Sequence, residues 1–280
     1  MPAIPRSEIM ERLRSHIRNG RPIVGTGAGT GISAKFEEEG GSDLIIIYNS
    51  GRFRMAGRGS MCGLMPYGDA NAIVMEMAGE ILPIVKHTPV LAGVCGTDPF
   101  RSMPLFLKQV KDAGFSGVQN FPTVGLYDGK FRANLEETGI SYELEVEMIR
   151  LAREMELLTT PYCFNRDEAR RMTQAGADVI VAHVGTTTSG SIGAKTTMSL
   201  EEAAAIVQDI CDGAREVNPE VIVICHGGPI AEPADAAFIL QHTDGVHGFY
   251  GASSAERLPV ERAIMEHIRK FTTISIKTHV

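Results

Sequence analysis

The run Val221 to Ile230, VIVICHGGPI, limits the possible folds of this chain more than any other stretch. An unbroken row of Val, Ile and Cys fits a strand covered on both faces, as strands of a parallel sheet are. The row stops abruptly at His226, Gly227, Gly228 and Pro229, and the two glycines there let a ligand approach the backbone closely. The same grammar recurs along the chain: a short apolar strand, a turn rich in Gly, Pro, Ser or Asn, then a helix.

Strands are read at 22–29, Asp43–Asn49, Pro89–Gly96, Gly117–Phe121, Leu157–Cys163, Val179–Val184, the stretch from Val221, and Gly245–Tyr250. Helices fall between them, two of them opening on the boxes Asn165/Glu168 and Ser199/Glu202, in which a polar cap is followed three residues on by Glu. A further helix, Ser7–Asn19, precedes the first strand, with Ile9, Leu13 and Ile17 on one face, and is expected to plug or flank the bottom of the domain. Eight strands alternating with helices, without repeats or linker-like composition, predict an α/β fold: a single (β/α)8 TIM barrel with an extra N-terminal helix. The helix takes 1–20, the barrel 21–271 and a tail 272–280. A doubly wound open sheet is the alternative. The glycines of GTGAGTG, Gly25 to Gly31, invite a dinucleotide reading, but their spacing is wrong and the second strand ends in Asn49-Ser50-Gly51 instead of an acidic residue.

Composition removes several function classes. A net charge of −7 with no Lys/Arg run leaves no footprint for nucleic acid. Five cysteines without a CxxC pair exclude a disulfide framework and a zinc ribbon and fit reduced thiols in a cytoplasm. The charged N-terminus lacks the apolar core of a signal peptide, and no apolar run reaches membrane length, so a soluble, cytoplasmic protein with no membrane partner is expected. The N-terminal helix and the Met-rich stretch Met55–Met65 place apolar residues outside the regular barrel and suggest a homo-oligomer.

In such a barrel the active site lies at the C-terminal ends of the strands. The polar residues there are Asn49, Asp98, Asn120, Tyr162, Asn165, His183, His226, Tyr250 and Ser253. The loops after strands seven and eight, Gly227-Gly228 and Gly251-Ala252-Ser253-Ser254, offer backbone N–H groups and hydroxyls. ASSAERLP reads as a short extra helix with its N-terminus turned inward, the arrangement of a phosphate or carboxylate site, against the plainer reading of tight turns that need glycine. His183 and His226 end neighbouring strands and suit a general acid and base or a shared metal, whereas His247 is expected to pack. Asp98 could hold Mg2+ through water or simply shape an Asp-Pro turn; Glu136 and Glu137 are candidates for a second carboxylate. The segment Ser50–Asp69 reads as a long irregular loop whose Arg52, Arg54 and Arg58 either grip an anionic substrate or stay solvated. Gly185–Thr197 has the small polar residues of a lid, with Lys195 as an anion clamp.

The runs GVCGTDP (93–99), GVQNFPTVGL (117–126), LEETGISYELEVEMI (135–149), CHGGPIAEPADA (225–236) and GFYGASSAERLP (248–259) carry a resemblance that covers nearly the whole chain. The sequence resembles the phosphoenolpyruvate-hydrolase-like TIM-barrel proteins, also described as predicted signal-transduction TIM barrels, which form the C-terminal half of a plant tobamovirus-resistance protein. The resemblance implies a place near the phosphoenolpyruvate/pyruvate superfamily, whose members commonly bind Mg2+ and an enolate-forming acid. This chain departs from that superfamily by ending strand three in GTDP, without a paired Asp motif. Two functions are therefore expected as alternatives: a hydrolase or lyase acting on an enol phosphate or 2-oxo acid, or a ligand-sensing or protein-binding barrel without turnover.

Overall fold

The computed structural model describes residues 3–195 and 198–277. Its strands are β1 (Ile23–Gly27), β2 (Leu44–Ile47), β3 (Val90–Val94), β4 (Gly117–Asn120), β5 in two pieces (Leu158–Thr159 and Tyr162–Cys163), β6 (Val179–His183), β7 (Ile222–His226) and β8 (Gly248–Gly251). All paired strands are parallel, β1 lies between β2 and β8, and the two pieces of β5 stand at the opposite ends of the sheet order. Only Thr160 and Pro161 separate those pieces, so the ring closes through them. Proline has no N–H for a ladder, yet the ladder continues on either side: Thr160 donates to the Val118 carbonyl and the Pro161 carbonyl accepts from Val181. The fold is thus the TIM barrel expected from the strand–turn–helix grammar, and no helix among the described residues is long and apolar enough to cross a membrane.

Helix α1 (Arg6–Arg18) closes the N-terminal end of the ring: Ile9, Met10 and Leu13 pack with Ile23, Leu44 and Val179 of the interior. A second apolar layer, between ring and outer helices, holds the other faces of the same strands, including Ile45, Val223 and Cys225. This double covering is why the strands read as continuous apolar runs instead of alternating ones. Inside the ring, large and small residues answer one another. Gly25 pairs in register with Tyr250, and a Cβ at Gly25 would stand 2.7 Å from the Tyr250 ring. A Cβ at Gly29 would meet the Gly51 carbonyl oxygen at 2.0 Å. The glycines of GTGAG therefore serve packing.

The segment expected to be irregular, Ser50–Asp69, is more regular than its composition suggests. It contains α3 (Asn49–Met55) and a 3-10 turn (Ser60–Leu64), tied together by the Asn49 amide donating to the Gly63 carbonyl at 2.9 Å and the Ser50 hydroxyl to the Ser60 carbonyl at 2.6 Å. Long-range bonds of this kind have no local signature, which is why the glycines alone point to a loop. The short helix expected at ASSAERLP is absent: Ala252 to Glu256 form a turn that runs straight into α11 (Arg257–Thr272).

The exit of β7 is held against the exit of β6. Gly228 donates to the Gly185 carbonyl at 2.8 Å, and its own carbonyl accepts from Thr188 at 3.1 Å. Gly227 and Gly228 have φ of +84° and +56°, and a Cβ on them would meet Gly185 O at 2.1 Å and Val184 O at 2.7 Å. Substitution here tests folding before it tests anion binding. Gly228→Ala is expected to cost roughly 1–3 kcal/mol from backbone conformation alone. A thermal melt should show a drop of several degrees, and an unchanged melting temperature would overturn the assignment.

Candidate active site at the barrel mouth

A narrow cleft, with a cavity volume of about 40 Å3, opens at the C-terminal ends of the strands. Its floor is aromatic: Tyr48 after β2, Phe121 after β4 and Tyr162 in β5. His183 and His226 stand beside them, and Ser50, Ser60, Thr186, Thr187 and Ser253 supply hydroxyls around the edge. His183 and His226 are the last residues of β6 and β7 and occupy opposed positions in register, which brings their rings to 4.7 Å between centroids. The Tyr162 ring lies 4.8 Å from one and 5.0 Å from the other.

The histidines differ in tautomer, as assigned from their hydrogen bonds. His226 Nδ1 is 2.7 Å from the Tyr250 carbonyl oxygen, which can only accept, so Nδ1 carries the proton and Nε2 keeps its lone pair. His183 Nδ1 accepts from the Gly185 N–H at 3.0 Å, so its proton lies on Nε2. Burial pushes His226 down to about 4, against the hydrogen bond to Tyr250, which acts the other way. Burial, followed by the proximity of His226, holds His183 well below the usual range. At neutral pH the pair is uncharged, with one Nε2 able to accept a proton and the other able to donate a hydrogen bond.

Not all the residues expected at the site meet there. His183, His226, Ala252 and Ser253 line the cleft, and the Ser253 and Ser60 hydroxyls lie 3.3 Å apart. Gly228 spends its N–H on Gly185, as described, and Gly227 belongs to the same tight turn. Gly251 is within β8 and pairs with Thr26; Ser254 Oγ is buried without a partner close to it. Tyr250 lies inside the ring and serves the site through its carbonyl. Asn120 is committed to the framework: Nδ2 donates to Glu145 at 2.6 Å and Oδ1 accepts from the Tyr162 N–H at 2.7 Å. Glu145, on α7 (Tyr142–Glu154), is fully buried, and burial pushes it up to about 8 despite hydrogen bonds from Val124, Thr123 and Asn120.

Asp98 faces a different, larger groove that also opens at the C-terminal ends of the strands, beside Asn49, Asn71, Cys95 and Thr123. Its carboxylate accepts from Asn71 at 2.9 Å, from the Phe100 N–H at 2.9 Å and from Arg101. A carboxylate saturated by a guanidinium, an amide and a backbone donor does not fit Mg2+, and the described residues hold no group of three or more His, Cys, Asp or Glu placed to ligate a metal. Glu136 sits in α6 (Gly129–Glu137) and pairs with Arg132 at 2.7 Å.

The arginines of the segment after β2 divide. Arg52 pairs with Glu76 at 2.6 Å on the surface and Arg58 is exposed, while Arg54 is buried and grips Glu256 Oε2 through Nε at 2.8 Å and Nη2 at 2.6 Å. The other oxygen of Glu256 accepts from the Gly29 N–H at 2.6 Å. The loop after β6 is fastened to α11 by Ser191 donating to Glu261 at 2.7 Å and Arg257 donating to the Ser189 carbonyl at 3.0 Å. Thr196 and Thr197, the end of the expected lid, lie outside the described residues. Tyr48, Ser50, Ser60, Thr186 and Thr187 are cleft residues that reading the sequence for strand-end polar groups passes over; Arg54 is read there, with Arg52 and Arg58, as gripping an anionic substrate or staying solvated, without the buried partner it has.

Comparison with known proteins places this geometry in a family. The chain is 65% identical over 269 residues to the ToMV susceptible protein tm-1(GCR26) of Solanum lycopersicum, covering 96% of this chain and 36% of that protein. It is 64% identical over 272 residues to the ToMV resistance protein Tm-1(GCR237) of the same plant, covering 97% of this chain and 36% of that protein. The chain thus spans about a third of the length of these relatives. Among solved structures, it resembles oxaloacetate acetylhydrolase (TM-score 0.59, 15% identity, 99% of this chain and 91% of that one). It also resembles phosphonopyruvate hydrolase in complex with oxalate and Mg2+ (TM-score 0.55, 17% identity, 94% and 88%). At these identities the likeness is one of fold. The model of the phosphoenolpyruvate hydrolase-like family matches residues 8–274, and the chain belongs to that family.

Proposed function

We propose that the barrel is an enzyme acting on a small carboxylated or phosphorylated acid, of the enol phosphate or 2-oxo acid class, bound in the cleft at the mouth. The observation that carries this is the pair of buried neutral histidines with complementary tautomers. His226 Nε2 takes a proton from a carbon acid or a water, while His183 Nε2–H donates to the oxygen on which negative charge develops. A neutral imidazole is the better partner for that oxygen, because it stabilises charge without itself needing to be neutralised. The hydroxyls of Ser60 and Ser253 receive the anionic end of the substrate, in place of the backbone of Gly228. The family and the oxo-acid and phosphonate names of the structural relatives support this substrate class. The five free thiols fit a reducing, cytoplasmic setting.

Incubation with phosphoenolpyruvate, oxaloacetate and phosphonopyruvate, following release of phosphate and pyruvate from the phosphorus-containing acids and of oxalate and acetate from oxaloacetate, is expected to show turnover. His226→Gln should lower kcat/KM by roughly 10²- to 10⁴-fold, the usual contribution of a general base. Tight binding without turnover of any of these acids would instead favour a ligand-sensing barrel.

The pH dependence follows from the lowered His226 value. The acid limb of kcat/KM should fall near pH 4 and not near 6.5. Stability moves with it: between pH 6.5 and 4 the unfolded chain binds the His226 proton and the folded one does not, so stability is lost as pH falls through that window. A pH–rate profile breaking near 6.5 would sink the assignment.

The homo-oligomer is proposed on different ground from the sequence expectation. Helix α1 covers its own barrel, whereas α11 exposes Ile264, Ile268 and Phe271, each more than half accessible, at helical spacing along one side. Light scattering at micromolar concentration should give a multiple of the chain mass, and Ile268→Glu should reduce it; a monomeric wild type would refute the proposal.

A further inference from the structure

An anionic substrate calls for positive charge, yet none of the described residues lining the cleft is a lysine or arginine. A fixed cation stands just behind the wall. Arg54 is 2% exposed, and its Cζ lies 5.8 Å from the ring centroid of Tyr48, a cleft residue. Its Nε and Nη2 are taken, by Glu256 and by the Gly27 carbonyl at 2.8 Å, but Nη1 is buried and has no hydrogen-bond partner.

A guanidinium with a spare, desolvated nitrogen is an unusual thing to keep in a barrel wall, because a buried unpaired donor is destabilising. Glu256 cannot be the whole reason for it: its Oε2 is satisfied by Nε and Nη2 alone, and its Oε1 by Gly29. The charge also reaches the cleft. After burial, and against the hydrogen bond to Tyr250, Arg54 is the remaining influence that holds His226 low.

We propose that Arg54 is a specificity-determining residue of the site: its charge, and its Nη1 donors acting through the Tyr48 side chain that separates them from the cleft, select an anionic group on the substrate. The same charge favours the neutral, proton-accepting form of His226. This rests on the anionic-substrate reading above. It assigns the cation of the site to the helix after β2, where Glu256, arriving from the turn after β8, holds the guanidinium in a fixed orientation.

The test pairs two variants with two readouts. In Arg54→Met/Glu256→Gln both charges go together, so no uncompensated buried charge remains, and the amide oxygen that replaces the carboxylate can still accept from Gly29. Calorimetric titration with oxalate, a small dianion, should show at least tenfold weaker binding than wild type, and the NMR titration midpoint of His226 should move up. Arg54→Lys keeps the charge but not the planar fork. It should keep the His226 midpoint near that of wild type while weakening oxalate binding, and it serves as the test should the double variant fail to fold. Oxalate affinity unchanged in a folded variant of either kind overturns the proposal, as does an unmoved His226 midpoint in the double variant. If wild type binds neither oxalate, phosphate nor phosphoenolpyruvate, the anionic-substrate reading falls and this proposal with it; wild-type binding that survives both substitutions removes the Arg54 assignment alone.

Discussion

Closure of the parallel ring is the constraint on which the rest of the structure depends. A closed ring of eight strands has an interior just wide enough to be filled by side chains, so a large residue on one strand demands a small one on its neighbour. Tyr250 fills the space that Gly25 leaves, and Tyr48 leans over Gly93, where a Cβ would stand 2.4 Å from that of Tyr48. This exchange fixes β8 against β1 and β2 against β3. It also fixes the Tyr250 carbonyl, which sets the tautomer of His226. The chemistry at the mouth is thus continuous with the packing beneath it.

Register does the remaining work of assembly. Five residue pairs align β6 with β7, from Val179 and Ile222 to His183 and His226, so two histidines distant in sequence become neighbours without any loop having to place them. A slip of one residue would turn one of them out of the ring, because successive side chains on a strand point to opposite faces. The glycine turn after β7, bonded back to Gly185, holds both strand ends and so protects this alignment. Rigid elements thereby position the two groups more precisely than loops would.

The mouth is mostly uncharged, and that shapes what it can do. Desolvation keeps both imidazoles neutral, while a buried ion pair nearby, Arg54 with Glu256, stands behind the wall. Such a pair is weak evidence for stability, since burying two charges costs about as much as their attraction returns. Its value here is geometric: it ties α3, after β2, to the turn after β8 and brings a cation close to Tyr48 without exposing it to solvent. Asp98 illustrates the opposite outcome. At the end of β3, with Arg101 three residues on and Asn71 opposite, its carboxylate is consumed by the rim of the barrel.

Periodicity and composition were enough to determine the strand–turn–helix alternation, the barrel, its N-terminal plug and the two histidines at its mouth. Each of these follows from local pattern, because a strand covered on both faces must be apolar throughout and a polar residue at its end stands out. The sequence did not determine which polar strand ends face the cleft. Asn120 and Asp98 look as suitable as His183 by position, but a buried Glu145 claims the first and Arg101 the second. Nor did it determine that Gly227 and Gly228 serve a left-handed turn, or that Arg54 is buried when Arg52 and Arg58 are not. Those outcomes were left to the tertiary structure, because each depends on a partner far away in the chain, and a hydrogen bond or ion pair between distant residues leaves no mark in the local sequence.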